Sequence, residues 1–174
     1  MKRSCAFLLA VLGLFFTGCG YHAMGGRSSR LPANVRTIAV PAFVNQTQIY
    51  RIEQIFTQDV VREFLSRTNY HVANEAGDAA DATLKGEVRA AQAAPLTYDA
   101  QSGRVSSAVV TVTLKVSLVD RSGRVLFENP NYTFREQYQV SREVASFFQE
   151  ETPALQRMSR DLARTLVSDI LEAY

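Results

Sequence analysis

The residue best placed for covalent chemistry is Cys19. Lys2 and Arg3 open the chain, and an apolar run of about a dozen residues follows, from Cys5 to Phe16. That is the length of a signal-peptide core and falls short of the roughly 20 residues a bilayer-spanning helix needs. Thr17 and Gly18, both small, come next, as a leader peptidase requires. A cysteine in this place is what a bacterial lipoprotein peptidase leaves as the new N-terminus once diacylglycerol has been added to its sulfur. The chemistry expected at Cys19 is therefore an S-diacylglycerol and an N-acyl chain such as palmitate, and no other cofactor is expected.

The stretch Phe16-Thr17-Gly18-Cys19 resembles a lipobox (Leu, small, small, Cys), with Phe16 where leucine is usual. Gly20 follows where an aspartate would retain a lipoprotein at the inner membrane, so sorting to the outer membrane is expected. Residues 1–18 then read as a signal peptide, 19–34 as a lipid-anchored tether and 35–174 as one folded domain. Gly25, Gly26, Ser28, Ser29 and Pro32 give the tether its flexible composition. Removing the leader takes Lys2 and Arg3 and no acid, so the charge count falls from 19 against 17 to 17 against 17. A neutral chain does not offer the basic field that nucleic acid requires. Cys5 also goes with the leader, so an acylated Cys19 leaves nothing for a disulfide. No later stretch is long and apolar enough to cross a membrane, and lipid chains would be the membrane attachment.

Residues suited to catalysis are sparse. His22 lies in the tether and His71 follows a helix, neither beside a cysteine or carboxylate cluster with ligand spacing. Asp78 and Asp81 read as turn residues rather than metal ligands. Gly25-Gly26 reads as linker, and neither a phosphate-cradling loop nor a nucleophile elbow is present. The expectation is a protein that is not an enzyme and holds no metal.

The elements that must carry any site follow from periodicity. Residues 35–44, rich in Val35, Ile38, Val40 and Val44, read as a first strand, with Pro41 placing it at an edge or near its end. Residues 50–67 repeat Ile52, Phe56, Val60 and Phe64 at helical spacing. Residues 82–91 alternate, with Ala82, Leu84, Gly86, Val88 and Ala90 on one face. Residues 94–104 read as a long loop. Residues 105–119 carry the longest strand pattern, and Asp120-Arg121-Ser122-Gly123 a hairpin turn. Residues 124–138 form the last strand, with Asn129-Pro130-Asn131 as a bulge on an edge. Thr152-Pro153 read as the cap and first position of a final helix whose stripe is Leu155, Met158, Leu162, Leu166 and Ile170. The prediction is an α+β two-layer sandwich of order βαβββα, a four-stranded mixed sheet with both helices on one face. The other face carries mainly Thr, Lys, Ser, Arg and Glu.

Four segments together are similar to one family. They are Cys19-Gly20-Tyr21-His22, the run from Val35-Arg36-Thr37-Ile38-Ala39-Val40-Pro41 to Ala42-Phe43-Val44-Asn45-Gln46-Thr47, Ala80-Asp81-Ala82-Thr83-Leu84-Lys85-Gly86, and Pro95-Leu96-Thr97-Tyr98-Asp99. In order and spacing the chain resembles the lipopolysaccharide-assembly lipoproteins of the LptE family over essentially its whole length. The second segment is also shared with lipoproteins that activate peptidoglycan synthases or serve other envelope machines, which is the alternative reading. The LptE resemblance implies an outer-membrane lipoprotein that plugs the LptD β-barrel, assists its assembly and contacts lipopolysaccharide on its way to the outer leaflet. A polar sheet face suits a polar barrel lumen. Because lipopolysaccharide carries phosphates, arginine is the expected partner. The meander puts Arg104 and Arg142 at one end of the sheet, with Arg135 and Lys85 as additions on its strands. Tyr98, Tyr132 and Tyr138 are candidates for a partner interface.

Overall fold

The structure is a computed structural model and describes residues 31–140 and 144–173, with side chains in the last helix described from Pro153 onward. The elements in chain order are β1 (Thr37–Ala39), β2 (Val44–Asn45), α1 (Ile52–Arg67), β3 (His71–Ala73), β4 (Ala82–Tyr98), β5 (Val105–Asp120), β6 (Val125–Gln139) and α2 (Val144–Glu172). They form one mixed sheet in the order β3-β1-β4-β5-β6, with β2 also paired to β4. β1 runs parallel to both β3 and β4, while β4, β5 and β6 make an antiparallel meander.

The α+β class, the two helices and the meander stand. The sheet, however, has six strands rather than the expected four, and the order gains a second strand before α1 and a third after it. The expected first strand is cut in two. β1 ends at Ala39, and Pro41, which has no N–H for a ladder, falls in the gap before β2. β2 and β3 are only two and three residues long. Period-two alternation does not register over so short a span.

Two more boundaries differ. β4 does not stop near Ala91 but runs through Pro95 to Tyr98, so the expected long loop shrinks to a turn between Asp99 and Arg104. The pairing continues across Ala94↔Val109 and Pro95↔Ala108 without a shift. The final helix begins at Val144, so Pro153 lies inside it rather than at its first position. The carbonyl of residue 149 thereby receives no helical N–H from residue 153.

The core lies between the helices and one face of the sheet. Ile52, Phe56, Val60 and Phe64 of α1 are fully buried at strict four-residue spacing. Met158, Leu162, Leu166 and Ile170 of α2 meet them, and Leu84, Val88, Val110, Val112, Leu114 and Leu118 form the sheet side. Leu31 and Val35, ahead of β1, are buried in the same core. A bulge between Val88 and Ala90 resets the alternation of β4, so that Ala91, not Ala90, turns toward the core. A second shift, between Leu114 and Val116, coincides with Asn129-Pro130-Asn131 on the edge strand β6, as the sequence leads one to expect.

Polar clamps fix the ends. The Asp81 carboxylate accepts the backbone N–H of Arg36 and of Thr37, each at 2.9 Å, and lies 3.5 Å from the Arg121 guanidinium. Those backbone donors, followed by Arg121, hold its pKa below the usual carboxylate value. Asp81 thus ties β1, the start of β4 and the β5–β6 turn together. At that turn, Asp120 accepts from Ser122 and Arg124, and its pKa too is lowered, chiefly by the Ser122 hydroxyl. Asn45 and Thr47 are likewise structural. Asn45 Oδ1 takes the N–H and hydroxyl of Thr47, and its amide donates to the Ile49 carbonyl and to Glu53.

Length separates α1 from the meander. At about 1.5 Å per residue the 16 residues of α1 reach about 24 Å, whereas the 17 of β4 at about 3.3 Å reach about 56 Å. The meander therefore extends beyond α1, and residues 92–98 of β4 are exposed along their whole length.

Candidate functional site

The candidate site is the helix-free face of the meander together with the end that runs past α1. Residues facing this way alternate with core residues. On β4 they are Thr83, Lys85 and Glu87, on β5 Thr111, Thr113, Lys115 and Ser117, and on β6 Glu128, Thr133, Arg135 and Gln137. Directly opposed residues share a face, so register gives the cross-strand rows. Gln92, Thr111 and Arg135 make one row, and Lys85, Ser117 and Glu128 another.

Charge on this face is partly self-neutralised. Lys115 lies 3.1 Å from Glu128, and Arg89 lies 3.8 Å from Glu87. Among the described residues, no carboxylate lies within ion-pair distance of Lys85, Arg104 or Arg135. Arg135 is exposed between threonines and glutamines in a region of the sheet with no acid in its own row.

Arg104 closes the β4–β5 turn. Its carbonyl accepts the Asp99 N–H at 2.8 Å, and Asp99 Oδ1 accepts the N–H and hydroxyl of Ser102 at 2.8 and 2.7 Å. Gly103 takes φ +66°, which a glycine adopts without steric cost. The turn backbone is thus held firmly while the Arg104 side chain stays exposed. Nearby, the Thr97 hydroxyl bridges those of Ser106 and Ser107 at 2.8 and 2.6 Å.

β6 leaves the sheet at the Arg104 end, where the Val140 N–H donates to the Ser106 carbonyl at 3.0 Å. Arg142 itself lies outside the described residues, as do Cys19, His22 and the whole leader. Lys85 is not near the others. Its row crosses β5 at Ser117, six residues from the Thr111 of the Arg135 row, or about 20 Å along the strand. These cations lie along a strip rather than in one pocket.

The three tyrosines divide. Tyr132 is buried, stacked between Phe127 and Phe134, and its hydroxyl donates to Asp169 of α2. Burial, then that carboxylate, pushes its pKa well above the usual phenol value. Tyr138 is half-buried against the core. Tyr98 alone of the three is available, 61% exposed, with Leu96 beside it at 51%. Leu96 escapes a reading of the sequence because Pro95 masks the strand that presents it.

Among the described residues, no group of three or more His, Cys, Asp or Glu could hold a metal ion, and no helix is long and apolar enough to cross a membrane. His71 is exposed on the edge strand β3, and Asp81 is committed to its clamp. A groove between α1 and β1, floored by Val40, Ala42, Val61 and Leu65, holds no histidine, cysteine or carboxylate in its lining.

A mixed sheet with two helices on one face and a long, polar meander surface on the other is the fold of this domain. Solved structures share it. An uncharacterised lipoprotein B from Nitrosomonas europaea superposes with a TM-score of 0.54 at 14% identity, covering 79% of this chain and 83% of that one. A Xanthomonas campestris protein does so at 0.52 and 18%, covering 80% and 85%. The PelC dodecamer subunit of Paraburkholderia phytofirmans gives 0.50 and 18%, covering 80% and 91%. At these identities the likeness is one of fold. No curated protein matches the sequence. The LptE lipopolysaccharide-assembly family model matches residues 35–170, and the chain belongs to that family. It is a family of non-catalytic envelope lipoproteins.

Proposed function

We propose that this chain is an outer-membrane lipoprotein, acylated at Cys19, that forms a plug-and-barrel complex with an LptD-type β-barrel. It assists assembly of the barrel and delivery of lipopolysaccharide to the outer leaflet. The observation that carries this reading is the family match across nearly the whole folded domain. The polar meander face supports it, since a barrel lumen is polar and a plug must present hydrophilic surface to it.

Lipopolysaccharide is contacted along the strip of cations on the meander. Arg104 and Arg142 serve at its end, and Arg135 and Lys85 serve along the strands. Arg135 and Arg104 are the better placed of the described residues, being exposed and, among those residues, without a carboxylate to neutralise them. A guanidinium binds phosphate through paired donors, so each free arginine offers a ready anion contact.

A pull-down of the tagged, lipidated protein from native outer membranes in mild detergent, read by mass spectrometry, tests the reading. A large β-barrel should be recovered with it. Reproducible recovery of a peptidoglycan synthase or a secretion pore, without a barrel, would refute the proposal.

A further inference from the structure

β2 covers the outer edge of β4 only as far as Val88, whose carbonyl accepts the Gln46 N–H at 2.9 Å. From Ala90 to Tyr98 that edge has no neighbour among the described residues. Exposed strand edges are normally defended by charge, because their free N–H and C=O groups will pair with any extended chain. The long free edge of β6 is so defended, with Glu128, Arg135 and Glu136 along it. Residues 90–98 of β4 hold no charged side chain at all.

Pro95 shows which groups this edge presents. It has no N–H, yet it keeps the register of Ala94 by pairing with Ala108, the next shift coming only after it, between Pro95 and Thr97, so its nitrogen belongs on the open side. Backbone direction alternates along a strand. Ala93 and Ala91 therefore turn their N–H and C=O outward too, while Gln92 and Ala94 bond to β5. The open edge offers two donors and three acceptors, flanked by alanines too small to obstruct an incoming strand.

We propose that residues 91–95 of β4 take up an extended segment of the barrel partner as an added β-strand. This rests on the barrel reading above and names where and how the two chains join. Backbone pairing over five residues is far smaller than the 1,200–2,000 Å² of a stable interface. A second copy of this chain would find too little here to hold it. The occupant must be anchored elsewhere as well, which a plug enclosed by its barrel satisfies. With no side-chain pocket or charge at the edge, recognition runs through the main chain, as in other strand-addition complexes.

The test uses the full lipidated chain, free in detergent and co-purified with its barrel, with amide hydrogen exchange read on peptides spanning 88–97. Ala91 and Ala93 should exchange at least tenfold more slowly in the complex. Ala93→Pro removes an outward N–H while sparing the β4–β5 ladder. It should leave the free protein's thermal midpoint nearly unchanged and cut barrel recovery about five- to tenfold, the worth of one to two hydrogen bonds. Ala93→Ser keeps the N–H and should recover barrel as the wild type does. A complex in which these amides exchange as in the free protein overturns the inference and leaves the barrel reading intact. So does equal damage by Ser and Pro, which would mean side-chain packing. Slow exchange in the free protein together with dimers in sedimentation would put a second copy on the edge and likewise overturn it. Absence of any barrel complex overturns both.

Discussion

Gly86 should be the least replaceable small residue in the sheet. It lies on the core face of β4 between Leu84 and Val88, and the Phe43 ring rests on it. A Cβ at this position would meet Phe43 Cδ2 and Cγ at 2.5 Å and Cδ1 at 2.6 Å. Carbon atoms prefer about 3.5–4.0 Å, so the ring must retreat by roughly 1 Å. It has little room to do so. Phe43 is 3% exposed, and its N–H is bonded to Thr57 Oγ1 of α1 at 3.0 Å. Overpacking of this kind costs about 1–3 kcal/mol, against which alanine regains about 0.5–1 kcal/mol of glycine's backbone entropy. Gly86→Ala should therefore destabilise by about 1.5 kcal/mol, lowering the thermal midpoint by about 3–6 °C.

The assay is a double-mutant cycle with Phe43→Ala, followed by chemical denaturation. Phe43→Ala alone should cost about 3–5 kcal/mol. In its background the added methyl meets no ring, so Gly86→Ala should become neutral or stabilise by about 0.5 kcal/mol. The coupling energy should be about 2 kcal/mol, within the range for residues in contact. Equal cost of Gly86→Ala in both backgrounds would refute the argument, since the penalty would then lie in the backbone and not in the ring.

Asp81, whose pKa is lowered in the folded state, contributes stability that is present above the unfolded carboxylate value and lost as pH falls through the folded one. Thermal midpoints of the wild type should thus begin to fall below about pH 4, while those of Asp81→Asn, lower at neutral pH, should change less over the same interval. Tyr132 titrates the other way. Its pKa is raised by burial and by Asp169, so a spectrophotometric titration should show a tyrosine that stays protonated above the usual phenol range and is absent from Tyr132→Phe, with stability falling as pH climbs toward the raised value. Tyr132→Phe should keep the stack on Phe127 and Phe134 but cost about 1 kcal/mol in denaturant. Arg104→Glu with Arg142→Glu should weaken lipopolysaccharide binding in a vesicle or blot assay without changing the thermal midpoint. Unchanged affinity would remove that end of the strip as a site.

What could be read from the sequence was whatever repeats. The stripes of both helices and the pattern of β5 are long, and each apolar position in them is buried. β2 and β3 are too short to show a period, although β3 completes the parallel unit of β1, α1 and β3. Two of the three prolines inside elements, Pro95 and Pro153, misled. In a strand, proline marks a break only where its N–H would have joined a ladder, and Pro95 faces an open edge. In α2 the bond from position 153 is lost, yet the helix continues, held by the packing of Leu155, Met158 and Leu162. Lys85 and Arg135 were legible as residues of the polar face, but their spacing was not. The bulge at Val88 and Ala90 shifts every later residue of β4, and only the register shows that Lys85 stands about 20 Å from the Arg135 row.

The mismatch between α1 and β4 bears on function. A sheet stabilised on its own account would end where its helices end, since strands exposed on both faces gain little from burial. Here β4 continues through residues 92–98 with both faces open, Leu96 and Tyr98 among them. Conformational entropy of about 1–2 kcal/mol per residue makes such an extension costly unless something orders it. β5 and β6 supply one side through their ladders, and Asp99 with Gly103 fixes the turn. The other side has no neighbouring strand among the described residues. An uncharged backbone edge, two exposed apolar side chains and the exposed Arg104, which has no carboxylate partner among the described residues, then meet at one end of the molecule, with Arg135 farther along the meander. Solvation alone accounts for the arginines but not for the apolar pair or the undefended edge. The proposed barrel strand on the edge and lipopolysaccharide along the strip would account for all three.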